Sequence, residues 1–213
     1  MAHMKFRIIN LKEFISNTDR SIEKLFLMNR DTYEEPFFKK YRIDDRWTID
    51  DFHKKTFQRY PNAVALFSLG KRDINGLKFC LTYSEPRASG RKTFIKLGYI
   101  AFSGLIPKDQ RSERREVLLE AHKFITETLP RKYPNLIFII EIPTDSKTFR
   151  KILETVGFKA VSDREKLKKT LSIFDIGFIK DSFLNEKEGI SYDSKRRHSG
   201  KPYVRQVCYI YRC

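Results

Sequence analysis

Residues 93–129 read TFIKLGYIAFSGLIPKDQRSERREVLLEAHKFITETL, and this stretch decides the fold. Its first part, 93–106, is apolar and long enough for an extended strand, which ends at Pro107. In the second part, 111–129, apolar residues recur at helical spacing until Pro130 stops the helix. A long strand that leads directly into a long helix is therefore the central feature of the chain.

The residues before this stretch predict one short strand, two helices and a hairpin. The second helix should begin at Thr48, because a threonine with Asp51 three positions further on is a good N-terminal cap. Turn residues between the two apolar runs before 93 favour a hairpin. The predicted elements are a strand at 6–9, helices at 11–30 and 48–59, and strands at 63–69 and 77–83.

The residues after the long helix predict three strands and a shorter helix. A continuous apolar run at 136–142 is typical of a strand buried on both faces of a sheet. A helix over 146–156 should end at Gly157, a natural left-handed cap. Two late strands are predicted at 171–179 and 203–211, separated by a polar and basic insertion at 180–202.

The composition predicts one domain over 4–213, since 213 residues are near the upper size of a single core. Residues 1–3 are interpreted as a cloning remnant ahead of Met4. No run approaches the roughly 18 apolar residues that a membrane helix needs. Three cysteines without a paired spacing favour free thiols and a cytoplasmic protein. No membrane contact is expected, because no long amphipathic helix carries a one-sided basic face.

The strongest compositional signal is charge. The chain has 43 Lys and Arg against 27 Asp and Glu, a net charge of +16, which predicts a polyanionic partner such as DNA or tRNA. Near the C-terminus, cations are interleaved with aromatic residues, as in nucleic-acid-binding segments. The predicted footprint is Lys195, Arg196, Arg197, Lys201 and Arg205. The alternative is an evenly spread charge and a flexible basic loop.

The order of elements, the motif at 105–110 and the motif FRKILETVGF at 149–158 together resemble the GNAT superfamily of acyl-CoA-dependent N-acyltransferases. The resemblance covers nearly the whole chain. It implies an α/β fold with a mixed, mostly antiparallel central sheet and helices on both faces. It also implies that acetyl-CoA or another acyl-CoA is the acyl donor.

The same resemblance implies a cofactor-binding segment. In the family, the strand before the long helix pairs with the pantetheine arm, and the following loop and helix start hold the diphosphate, which suits the backbone N–H groups and dipole of a helix N-terminus. The family's loop pattern has two glycines that are missing here, and Glu113 adds a negative charge. The corresponding residues are Phe102, Ser103, Gly104, Leu105, Ile106, Gln110, Arg111, Ser112, Arg114 and Arg115.

The tyrosine that often serves the family as general acid corresponds to Leu153, which cannot donate a proton. Glu141 and Tyr99 are therefore the candidates for taking the amine proton, directly or through a water. The alternative for Tyr99 is core packing, and for Glu141 a paired charge at a strand end. Tyr83 and Glu85 are weaker candidates.

Other site chemistries have little support in the sequence. Its histidines have no zinc-ligand spacing, so no metal is expected, and no nucleophile elbow, Walker loop or dinucleotide fingerprint is present. Three hypotheses follow. The first is an enzyme that acylates nucleic acid or an amine carried on it. The second is a non-catalytic nucleic-acid-binding protein on a degenerate fold, and the third is a protein or small-molecule N-acetyltransferase.

Overall fold

The computed structural model describes residues 6–11, 13, 23, 26–27, 30, 48–67, 77–100, 111–176, 183–186, 189–193 and 205–213. Its strands and α-helices, in chain order, are β1 (Phe6–Asn10), α1 (Ile49–Arg59), β2 (Asn62–Phe67), β3 (Leu77–Tyr83), β4 (Arg87–Ser89), β5 (Lys92–Ile100), α2 (Arg111–Thr128), β6 (Leu136–Pro143), α3 (Lys147–Val156), β7 (Lys159–Ala160), α4 (Arg164–Ser172), β8 (Leu184–Glu186), β9 (Gly189–Asp193) and β10 (Arg205–Arg212).

The chain divides into two compact units. Unit 1 comprises Met1–Glu85 and Leu97–Ile125, and unit 2 comprises Pro86–Lys96 and Thr126–Cys213. Strand β5 therefore contributes its first five residues to unit 2 and its last four to unit 1.

Unit 1 has an antiparallel sheet in the order β1, β2, β3, β5. Three buried residues of α2, Val117, Ala121 and Ile125, follow one another at four-residue spacing. This confirms the amphipathic helix that the sequence predicts. Gly98 on β5 allows a close approach, because a Cβ there would lie 2.8 Å from the Tyr60 ring.

Helix α1 begins where its capping residues predict. The Thr48 hydroxyl accepts a hydrogen bond from the Asp51 amide at 3.1 Å, and the Asp51 carboxylate accepts one from the Thr48 amide at 3.3 Å. These two bonds satisfy amide groups that a helix start otherwise leaves exposed. One turn later Phe52 is buried.

Unit 2 has a mixed sheet in which β6 lies between β5 and β10. The β5–β6 pair is parallel, whereas β4–β5, β6–β10, β10–β9 and β9–β8 are antiparallel. The first five residues of β6 are fully or almost fully buried, which is the reason for its continuous apolar sequence.

Helices cover both faces of the unit 2 sheet. On one face Ile139 and Ile210 pack with Leu167 and Leu171 of α4. On the other face the Tyr211 ring lies 5.3 Å from the ring of Phe158, just after α3. The predicted mixed, mostly antiparallel sheet with helices on both faces is thus confirmed in unit 2.

The predicted strand at 171–179 is wrong over its described part. Helix α4 runs to Ser172 and a turn follows, in which the amides of Phe174 and Ile176 both donate to the Leu171 carbonyl. Asp163 starts the helix by accepting from the Lys166 amide at 2.6 Å. The apolar residues after 172 pack on the core from a turn, so their burial does not require a strand.

The predicted insertion at 180–202 also contains more structure than its polarity indicated. Strands β8 and β9 both lie within it, and β9 extends the sheet beside β10. Gly189 makes this possible, because its φ of 129° belongs to the glycine-favoured region and a Cβ would lie 2.7 Å from Ala160.

Candidate functional site

The parallel ladder between β5 and β6 is short. It runs from Thr93↔Leu136 to Lys96↔Ile139, while β6 continues to Pro143 and stays paired with β10. Beyond Lys96, β5 pairs with β3. The described ladder on the β5 side of β6 therefore ends at Ile139, two residues before the predicted catalytic residue Glu141.

Glu141 lies at a nearly buried position and has charged and polar partners. Its carboxylate forms an ion pair with the Lys96 ammonium and accepts a hydrogen bond from the Tyr192 hydroxyl at 2.9 Å. The side chains of Glu141 and Lys96 are only 10% and 14% exposed. A proton acceptor in this setting is already hydrogen-bonded through both oxygens, which limits how directly it can reach a substrate amine.

Cys208 lies opposite Glu141 across the β6–β10 pair and is fully buried. Burial raises the pKa of its thiol well above the ordinary range, the Glu141 carboxylate raises it further, and Lys96 acts in the opposite direction. The thiol is therefore protonated at neutral pH and is not a nucleophile. We call Lys96, Glu141, Tyr192 and Cys208 the ion-pair cluster.

The other predicted catalytic candidates lie in unit 1. Tyr99 pairs with Leu81 through the backbone of β5, and its side chain lies outside the described atoms. Tyr83 is 4% exposed and belongs to the core, whereas Glu85 is exposed after the end of β3. The buried Tyr83 ring fits a packing role better than a catalytic one.

Helix α2 begins at Arg111, where the sequence predicts a diphosphate-binding helix start. Of its predicted ligands, Arg115 is described and exposed. The side chains of Arg111, Ser112 and Arg114 lie outside the described atoms, as do residues 102–106 and Gln110 entirely. The structure thus places the N-terminus of an 18-residue helix at this position.

The predicted nucleic-acid footprint is described only at Arg205. Its side chain lies at the start of β10, and its Nε is 3.6 Å from Asp193 on the neighbouring strand. The other four residues, Lys195, Arg196, Arg197 and Lys201, lie outside the described part of the chain.

A second buried polar network joins α3 to β10. The Arg150 Nε donates to the Tyr209 hydroxyl, which donates in turn to Glu154, both at 2.9 Å. Arg150 also donates to the Thr144 carbonyl at 2.9 Å. Burial raises the pKa of the Tyr209 phenol; Arg150 opposes that rise and Glu154 adds to it.

Sequence reasoning missed this network. Its only sequence signal is that Arg150 occupies a position on the apolar side of α3, beside Ile152 and Leu153, where a charged residue is out of pattern. The network fixes α3 against the sheet.

Metal-binding groups and membrane-spanning helices are both absent from the residues that the structure describes. These residues contain no group of three or more metal-ligating side chains. They also contain no helix that is long and apolar enough to span a membrane.

Comparison with known proteins shows which solved structures share the fold of this chain. No protein-family model and no curated protein matches the sequence. Solved structures match over nearly the full chain. An acetyltransferase of the GNAT family from Bacillus anthracis is 13% identical, with 98% of this chain and 95% of that chain covered and a TM-score of 0.52.

Two ribosomal-protein acetyltransferases give similar values. The ribosomal-protein-S5-alanine acetyltransferase from Vibrio fischeri is 10% identical, with 100% and 94% coverage and a TM-score of 0.53. RimL, solved in complex with coenzyme A, is 10% identical, with 100% and 95% coverage and a TM-score of 0.51. At such identities the likeness is one of fold, and the chain therefore has the fold of the GNAT acetyltransferases.

Proposed function

We propose that this protein is an acyl-CoA-dependent N-acyltransferase. The observation that carries the proposal is the succession of a parallel strand pair that ends early, at Lys96↔Ile139, and a long helix that starts at Arg111. A helix start offers unsatisfied N–H groups and a positive dipole end, which suit a diphosphate. Structural neighbours such as RimL bind coenzyme A in their own structures.

The residues at the start of α2 fit an acyl-CoA donor in part. The α2 N-terminus and the exposed Arg115 would hold phosphates, the arginine by charge-assisted hydrogen bonds. Glu113 opposes them with its negative charge. The acyl-CoA thioester would supply an activated carbonyl for attack by an amine, so that the amide C–N bond would form, the C–S bond would break and coenzyme A would leave as its thiol. Glu141 or Tyr99 would receive the amine proton directly or through a water.

Nucleic acid, or an amine carried on it, is our first choice of acceptor, because a net charge of +16 exceeds what solubility requires. A protein N-terminus is the second, and it is favoured by neighbours that acetylate ribosomal proteins. The alternative to both acceptors is that the protein binds nucleic acid on this fold without catalysis.

Calorimetric titration with acetyl-CoA and longer acyl-CoAs tests the proposal. We expect saturable binding that weakens about tenfold in Arg115→Ala, the effect of losing one hydrogen bond to a charged group. Lys123→Ala, eight residues further along α2, is the matched control and should leave the affinity unchanged. Absence of binding at millimolar acyl-CoA would leave only the non-catalytic hypothesis.

Glu113 gives a second test of the same helix start. Glu113→Gly should raise the affinity for coenzyme A by removing a repelling charge and freeing the backbone for close approach. Glu113→Ala removes the charge alone, so the difference between the two variants measures the backbone contribution. If neither variant binds more tightly, the helix start does not contact the diphosphate.

Acceptor choice is tested by following coenzyme A release with tRNA, aminoacyl-tRNA, duplex DNA, N-terminal peptides and polyamines. Release with a nucleic-acid acceptor supports the first choice, and release with peptides alone supports the second. Glu141→Gln and Tyr99→Phe should each be compared at the best acceptor, and the true proton acceptor should lose about 10²- to 10⁴-fold in kcat.

A further inference from the structure

One end of the unit 2 sheet gathers basic residues. At this end β5 and β6 begin and β10 finishes, because Thr93 pairs with Leu136 and Arg212 with Ile137. The amide of Cys213 also donates to the Leu136 carbonyl at 3.1 Å. Lys92 and Arg212 therefore lie on either side of the start of β6, two strands apart.

The same two residues belong to one face of the sheet. Side chains alternate along a strand, so Lys92 lies on the face of Phe94 and Arg212 on the face of Ile210. Phe94 and Ile210 both pack in the core beneath α4. Lys159 pairs directly with Ile210 and so reaches this face from β7.

Helix α4 completes the group with Lys166, the neighbour of the buried Leu167. Partial burial lowers the pKa of Lys166, the positive charge of Arg212 lowers it further and so does Lys92, while Asp163 acts in the opposite direction. Arg212 and Lys92 are thus close enough to Lys166 to repel it, and Lys159 joins them through its pairing with Ile210. We call Lys92, Lys159, Lys166 and Arg212 the basic end cluster.

The cluster is exposed, and its positive charges outnumber the one nearby carboxylate that acts on Lys166, that of Asp163. All four side chains are exposed, and within the described residues none of them forms an ion pair with a carboxylate. Three more exposed cations, Arg91, Arg131 and Lys132, lie in the turns that lead into β5 and β6 at the same end. Holding like charges together costs free energy that a bound polyanion would recover.

We propose that the basic end cluster binds the phosphate backbone of a nucleic acid. Adjacent strands are about 4.8 Å apart, so Lys92 and Arg212 span about 10 Å, over which duplex DNA presents about six charges. This inference rests on the nucleic-acid partner in the proposed function and is independent of the acyl-transfer chemistry.

An anionic membrane is the competing source of phosphate, and the surface disfavours it. Stable attachment to a bilayer surface needs apolar side chains as well as cations. The large apolar residues that are exposed in the described chain are Ile49 and Leu184, and neither lies on an element that forms the cluster. A phosphate backbone requires only the cations.

The test compares two triple variants of equal net charge. Lys92→Ala/Lys166→Ala/Arg212→Ala removes the cluster, and Lys54→Ala/Lys147→Ala/Lys151→Ala removes three exposed lysines from α1 and α3. Fluorescence anisotropy with duplex DNA, single-stranded DNA and tRNA is measured across a range of salt concentrations. Each lost phosphate contact should flatten the slope of log affinity against log salt by about 0.9 units with duplex DNA.

We expect the cluster variant to flatten the slope by about two to three units and the control by less than one. Equal slopes for the two variants, with the wild type still binding, would overturn the cluster and leave the nucleic-acid partner standing. No wild-type binding at low salt would overturn both. Tighter binding to phosphatidylglycerol vesicles than to any nucleic acid would also overturn the proposal that the cluster binds a nucleic acid. The acyl-CoA titration is independent of all these outcomes.

Discussion

Lys92 and Lys96 lie four residues apart on the same strand and the same face, yet their surroundings are opposite. Lys96 is almost buried and is paired with Glu141, which also accepts from Tyr192. Lys92 is exposed, has no ion-pair partner among the described residues and lies near other cations. Within one strand the fold thus separates a neutralised charge, which serves structure, from an uncompensated one, which is available for binding.

The difference follows from burial. A buried charge must be paired, because removing it from water costs several kcal/mol. A surface charge keeps its hydration and can remain unpaired at small cost. Net charge alone does not distinguish the two, whereas the removal of one charged partner at a time does.

The largest effect is expected at Lys96. Lys96→Met should destabilise the protein by about 3–5 kcal/mol, because it breaks the ion pair that Lys96 makes with the nearly buried Glu141 carboxylate. Urea denaturation followed by circular dichroism measures the loss. Lys92→Met, the matched control on the same strand, should change stability by no more than about 0.5 kcal/mol.

The double variant Lys96→Met/Glu141→Leu sharpens this result. Replacing both members of a buried pair by apolar residues is often neutral or stabilising, so most of the loss should be recovered. If the double variant is as unstable as the single one, the cost arises from packing and not from the loss of the ion pair.

A change of nearly the same size in the free energy of unfolding is expected when the pH is lowered, because of His122. This residue is buried in unit 1 and uncharged at neutral pH. Complete burial lowers its pKa from the ordinary 6.5 to about 4, although a hydrogen bond with the Leu118 carbonyl opposes the shift. Between these two pH values the unfolded chain binds the proton and the folded chain does not. Stability should therefore fall by about 3 kcal/mol as the pH drops from 6.5 to 4.

Denaturation curves at several pH values measure this dependence. His122→Gln should flatten it between pH 4 and 6.5, whereas His53→Gln, a control at an exposed position of α1, should not. An unchanged pH dependence in His122→Gln would show that other groups dominate acid unfolding.

A smaller effect is expected from Tyr192→Phe. Glu141 would lose one hydrogen bond in a nearly buried site, at a cost of about 1–3 kcal/mol. The same substitution in a Glu141→Leu background should cost almost nothing, because no carboxylate remains to accept the bond. A double-mutant cycle measured by urea denaturation gives the coupling, and equal costs in the two backgrounds would contradict it.

The smallest effect concerns the basic end cluster. Removing one cation by Lys166→Ala should stabilise the protein slightly at low ionic strength, within about 0.5 kcal/mol, and the gain should vanish at high salt. Thermal melts at two salt concentrations measure it. A destabilisation that persists in high salt would show that the Lys166 stem contributes packing instead.

Local signals in the sequence predicted much of the fold. Thr48 and Asp51 located the start of α1, and Gly157, with a φ of 104°, located the end of α3. In both cases the deciding interactions are made within a few residues of chain. The apolar run of β6 also predicted a buried strand, because its composition reflects burial on both faces.

The errors occurred where distant contacts decide the structure. The sequence of α4 contains only Leu167 and Leu171 as large apolar residues, so its charge concealed a helix that the sheet stabilises. The apolar residues that follow predict a strand, but Arg87 from β4 donates a hydrogen bond to the Ile173 carbonyl at 2.7 Å and holds them in a turn. The pairing of Lys96 with Glu141 depends on the β5–β6 register, which no local pattern encodes.

The buried thiol of Cys208 gives the protein an internal reporter of its own motion. Thiol reagents react with the thiolate, whereas Cys208 is protonated and fully buried in the core beneath α4. Cys213, five residues further on, is exposed. Cys80 is the third cysteine of the chain, and Cys80→Ser removes its signal. In that background rapid labelling would mark Cys213, and the slow labelling of Cys208 would time the opening of the unit 2 sheet.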